Sequence, residues 1–270
     1  MHDIFLGIVL GIVEGITEFL PVSSTGHLIV AGELLDFTGN KASCFDVFIQ
    51  LGAILAVMLL YRHRFLGLIP LPGNCGSSIA GFKGVRGIFL MSATTIPALI
   101  MGLIAHKTIK QHLFTPLTVA LALGVGGIGI LLAERYKPLS NTKSMDELTY
   151  RQAFVVGLFQ CLALWPGMSR SASTIIGGLL SGLDRTTATE YSFLAAVPVM
   201  VAATGYDLMK AWPVLERSDA LLFSTGFLVS FLSATIAVKT FIGLVQRWSL
   251  APYAYYRLII APVIYFVMCS

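Results

Sequence analysis

Residues 14–27 read Glu-Gly-Ile-Thr-Glu-Phe-Leu-Pro-Val-Ser-Ser-Thr-Gly-His, and their reading decides the fold. An apolar run from Ile4 leads into this stretch, and a second run, 28–37, leads out of it. A helix that crosses a bilayer alone needs about 20 apolar residues. Neither run supplies them, and Pro21 interrupts any helix that would join the two. Irregular backbone at membrane depth survives only when it is buried in protein or lines a polar cavity. A broken or re-entrant helix pair around a polar pocket is therefore expected.

A second stretch has the same character. Residues 165–174 read Trp-Pro-Gly-Met-Ser-Arg-Ser-Ala-Ser-Thr and divide the short apolar runs 152–165 and 172–183. At an offset of about 145 residues Pro21 pairs with Pro166, Ser24 with Ser169 and Phe48 with Phe193. Gly/Pro-broken segments at matching places in two halves point to a site where the halves meet. Longer apolar runs occupy 45–61, 87–105, 115–133, 190–209, 219–244 and 252–268. The expected fold is an all-α polytopic membrane protein with two inverted-topology repeats, whose broken helix pairs meet at a central polar pocket. It forms a single membrane domain over 1–270, with repeat 1 at about 1–133, a polar connection at about 134–151 and repeat 2 at about 152–270.

Composition supports the membrane reading. The chain is 56% hydrophobic and 12% charged, whereas soluble domains carry about 25% charged residues. The net charge of +4 forms no basic stripe with interleaved aromatics, which excludes nucleic acid as a partner. Lys and Arg occur in most loops, so loop charge does not orient the chain. Cys44, Cys75, Cys161 and Cys269 lack CxxC spacing and read as apolar packing residues. The segment after Met1 has neither a basic leader nor a small-residue cleavage site, and is expected to belong to the mature protein.

The charges left inside apolar segments carry the chemistry. Glu14 and Glu18 share one helix face. Each carboxylate at a membrane helix centre costs about 2.5–3.5 kcal/mol. A divalent cation, a shared proton or an arginine must offset this. After Pro21, Ser23 or Ser24 can cap the next helix, Thr25 adds a hydroxyl, and Gly26 allows close backbone approach. Such a helix N-terminus suits phosphate. His27 follows Ser24 by three residues, which fits a nucleophile with its base, although a capping serine near a packed histidine is the commoner source of this spacing. Arg170 stands alone between Arg151 and Arg185 and needs an anion, either phosphate or one of the two glutamates. Ser169 or Ser171 can cap the helix that Thr174 belongs to. Gln50, within 45–61, and Glu190 either line the pocket or support it. His63, His106 and His112 read as surface groups. Gly124, Gly126, Gly127 and Gly129 allow close helix packing.

The first cluster, Glu14 to His27, and the second, Pro166-Gly-Met-Ser-Arg170-Ser-Ala-Ser-Thr174, resemble the two signature motifs of the undecaprenyl-pyrophosphate phosphatase (bacitracin-resistance) family. Phe48-Ile-Gln-Leu-Gly52 and Leu148-Thr-Tyr-Arg-Gln-Ala-Phe154 fit as well, so the resemblance spans nearly the whole chain. It implies dephosphorylation of undecaprenyl pyrophosphate to the monophosphate carrier lipid of cell-wall synthesis, in the bacterial plasma membrane, at a pocket open to the outer face. It also implies a divalent cation, magnesium or calcium, at Glu14 and Glu18. Catalytic roles then fall on Glu18, Ser24, His27 and Arg170, and substrate contacts on Ser23, Thr25, Gly26, Gln50, Ser169, Ser171 and Thr174. Expected partners are the polyprenyl pyrophosphate lipid, the bilayer and a second copy of the chain. A lipid-phosphate flippase on the same scaffold is the alternative.

Overall fold

The computed structural model describes residues 2–69, 81–113, 115–211 and 219–269. All ten apolar runs are helical. The described residues hold no β-strand; extended backbone pairs once, between Thr142 and Leu183. Cys75 lies outside the described residues, as do the side chains of Cys269 and His106. Cys44 and Cys161 are free thiols.

The first broken pair is α1 (His2–Thr17) and α2 (Ser24–Leu34). Then come α3 (Asn40–Leu60), the short α4 (Arg62–Leu66), α5 (Gly84–His112) and α6 (Pro116–Tyr136). The second pair is α7 (Tyr150–Gln160), which tightens into a 3-10 turn at Cys161–Leu164, and α8 (Arg170–Leu180). Helices α9 (Arg185–Ala211), α10 (Ala220–Val245) and α11 (Ala251–Cys269) complete the chain. Helices α3, α5, α6, α9, α10 and α11 are long and apolar enough to cross a bilayer. By contrast, α2 and α8 have 11 residues each, or about 16 Å at 1.5 Å per residue, roughly half a hydrocarbon core.

The backbone of the two breaks shares one local feature. Ser23 and Ser169 both precede the first residue of a short helix, and both adopt left-handed backbone, with φ of 73° and 71°. Ser24 and Arg170 are thus the first residues of the two short helices. Non-glycine residues rarely take this conformation, and it turns the chain abruptly into each helix.

Small residues let the short helices pack deeply. Gly7, Gly11 and Gly15 form one stripe along α1, and each faces the backbone of α10 between Leu222 and Ala234. The Ser233 hydroxyl donates to Gly11 O across this contact at 3.1 Å. Gly157 of α7 likewise faces the main chain of Ala93 and Thr94 on α5. With lipid outside as apolar as the core inside, this close contact is what holds membrane helices together. Phe19, at the first break, packs edge-on to Phe193 of α9 with centroids 5.2 Å apart. Glu134 fixes the helix ends on one side. It accepts from Arg185 at 2.7 and 2.8 Å, from Lys137 at 2.7 Å and from Leu250 N at 2.9 Å.

Candidate active site

The breaks converge on Glu18. Its Oε1 accepts from Arg170 Nη2 at 3.1 Å, across 152 residues of sequence, and its Oε2 accepts from the Ser24 hydroxyl at 2.6 Å. Both side chains of the ion pair are nearly buried, with 11% and 7% exposure. Arg170 also donates through Nη1 to Ser192 O at 3.1 Å and lies 5.3 Å from the Phe19 ring centroid. Its Nε has no partner. The guanidinium is thus held on one edge and keeps a donor in reserve.

Glu14 is fully buried one turn below, and neither of its carboxylate oxygens has a hydrogen-bond partner. Asp46, on α3, is near enough to act on it electrostatically. A carboxylate in this setting costs several kcal/mol unless a cation or proton joins it. The donor set fits a hard divalent cation: two carboxylates supply oxygen, and magnesium commonly takes its remaining ligands from water and substrate phosphate. Among the described residues no trio of His, Cys, Asp or Glu is placed to hold a metal unaided.

The hydroxyls divide by role. Ser169 accepts from Ala172 N at 3.3 Å, capping α8, and meets Ser171 Oγ at 3.0 Å. Ser171 donates to Leu20 O at 2.8 Å, joining the second break to the first. Thr174 shares a 2.6 Å hydrogen bond with Ser192, beside Arg170. Ser23 occupies the cap position of α2 but makes no side-chain cap bond. Gly26 faces Ile264 and Leu123, so its small size serves helix packing. Thr25 is half-buried. Gln50, half-buried on α3, makes no hydrogen bond to Glu14, Glu18, Ser24 or Arg170.

His27 is not bonded to Ser24. Its Nδ1 donates to Ser23 O at 2.8 Å, because a carbonyl can only accept. In the neutral ring Nε2 then accepts from the Tyr256 hydroxyl at 2.6 Å. The two rings stack with 9° between planes. Sequence reasoning missed Tyr256, since a tyrosine in an apolar run carries no signal. It also missed Arg257, although a lone charge inside 252–268 is the same signal that singled out Arg170.

Comparison with known proteins decides what this geometry belongs to. The bacitracin resistance protein BacA family matches residues 7–263. The chain belongs to that family. It is 57% identical to an undecaprenyl-diphosphatase of Nitratidesulfovibrio vulgaris over 269 residues, 99% of each chain. It is 55% identical to that of Maridesulfovibrio salexigens over 267 residues, 98% of this chain and 99% of the relative. It is 54% identical to that of Desulfovibrio desulfuricans over 271 residues, all of both chains. Membership in the BacA family together with the long apolar helices makes this a multi-pass membrane protein.

Proposed function

We propose that the chain hydrolyses undecaprenyl pyrophosphate to undecaprenyl phosphate and inorganic phosphate, with Ser24 as the nucleophile. One observation carries the mechanism: a single carboxylate, Glu18, bridges the serine hydroxyl and the Arg170 guanidinium. The pyrophosphate enters between the two helix N-termini, and Arg170 binds the oxygens of its terminal phosphate. Ser24 Oγ attacks the terminal phosphorus while its proton passes to Glu18. The bond from that phosphorus to the bridging oxygen breaks, and the lipid monophosphate leaves. Water then attacks the phosphoserine and releases phosphate, and the serine recovers its proton. Glu14 and Glu18 would hold Mg2+ or Ca2+, which supplies charge neutralisation for the transferred phosphoryl group.

The relatives' names and their coverage of the whole chain support the substrate. The packing of α1 on α10, matched by α7 on α5, supports two inverted halves. On this reading the chain works in the bacterial plasma membrane with its pocket open to the outer face.

The test is phosphate release from a polyprenyl pyrophosphate by purified protein, with and without chelator. Wild type should release phosphate and lose that activity with chelator. Ser24→Ala should abolish turnover, and acid-quenched wild type should carry phosphate on Ser24. If Ser24→Ala keeps near-normal turnover, water attacks directly and the serine route is wrong.

A further inference from the structure

Arg257 of α11 is fully buried and pairs with no carboxylate among the described residues. All its hydrogen bonds go to main-chain carbonyls. Nε donates to Leu123 O at 3.0 Å, Nη1 to Pro21 O at 3.2 Å, and Nη2 to Ala122 O at 3.1 Å and Gly167 O at 3.0 Å. Pro21 and Gly167 stand two residues before Ser23 and Ser169, so one guanidinium holds the corresponding carbonyl of each break. The slot is built for it. A methyl group at Gly126 would overlap Arg257 Nη2, and one at Gly167 would strike Val119 O.

A charge this deep costs far more than an apolar side chain of the same volume. Its use lies in geometry. A break in a helix strands carbonyls that must find donors, and only a rigid multi-donor fork satisfies both breaks at once. We propose that Arg257 is the positioning residue of the site: it locks the two breaks against each other and so sets Glu18 and Ser24 opposite Arg170. Its effect on turnover rests on the phosphatase reading; its effect on geometry does not.

Two readouts separate these. In a chain with its four cysteines changed to alanine, spin labels at Leu34→Cys and Leu180→Cys report the separation of α2 and α8 in detergent or nanodiscs. Arg257→Lys keeps the charge but not the fork, and should broaden that distribution. It should also lower kcat about 100-fold with KM changed less than about threefold, the signature of misplaced reacting groups. If wild type releases no phosphate, the activity falls but the label distances still decide positioning. An unchanged distribution overturns the proposal whatever kcat does. A raised KM at constant kcat overturns it too, since the charge would then serve binding. Should Arg257→Lys fail to fold, Gly126→Ala, which expels the guanidinium from its slot, must reproduce the kcat loss; normal turnover there refutes the idea.

Discussion

Glu14 and Gln160 each stand nine residues before the left-handed serine of a break, yet only Gln160 has a bonded side-chain group. The Gln160 amide donates to Thr94 O at 3.1 Å. Glu14 has no partner for either oxygen. Gln160 Oε1 also lacks a partner, but the amide is neutral and its nitrogen is bonded, whereas Glu14 buries a carboxylate with neither oxygen matched, as a reactive or ligand-binding group requires. Glu14→Gln should fold at least as stably as wild type while losing about 100-fold in cation-stimulated turnover. Gln160→Glu should do the reverse and destabilise the fold by about 2.5–3.5 kcal/mol. Thermal unfolding and phosphate release measure both, and an active, cation-responsive Glu14→Gln enzyme would refute the asymmetry.

Arg170→Lys removes the fork but keeps a charge. A point charge cannot bind Glu18, Ser192 and a phosphate oxygen together, so kcat/KM should fall at least about 100-fold. Steady-state kinetics with a soluble short-chain prenyl pyrophosphate check this. Near-normal kinetics would reduce the Arg170–Glu18 pair to a structural tie.

Tyr256→Phe deletes the hydroxyl that donates to His27 Nε2 and leaves the ring stack. One lost hydrogen bond corresponds to about a three- to tenfold effect. We expect a loss of that size in kcat, with an altered pH profile because Nε2 is released to solvent. An unchanged kcat and profile would show that the Tyr256–His27 bond does not steady the site.

Gly15→Val tests the packing stripe. A side chain at position 15 would overlap Ser233 and lie 2.7 Å from Ala234 N, so α1 must move off α10. The expected loss is about 3 kcal/mol or more, seen as poor yield and a lowered unfolding temperature. Wild-type stability in that variant would mean the helices do not interlock as described.

Asp146 lies outside the spans, where the Phe82 N–H and then Arg64 hold its carboxyl below the usual aspartate value. The charged form is favoured in the folded state, so the stability it adds is present above the unfolded value. That stability is lost as pH falls through the lowered folded value, below about pH 4. Asp146→Asn should therefore be less stable than wild type at pH 7, and the gap should close on acidification. Parallel unfolding curves from pH 7 to 3 would contradict it.

Sequence alone determined the helical class, the positions of ten helices and the two breaks, because apolar run length and proline are local properties. It also marked Glu14, Glu18 and Arg170, since a charge among apolar residues is conspicuous wherever it packs. Only the tertiary structure decided the partners: Ser24 with Glu18 rather than His27, His27 with Tyr256, Arg257 with both breaks. Ser24 and Glu18 are only six residues apart, but the turn after Pro21 sets their meeting, and the other bonds join residues 90 or more apart. Hydrogen bonding holds only over about 3 Å, so spacing along the chain could not assign them.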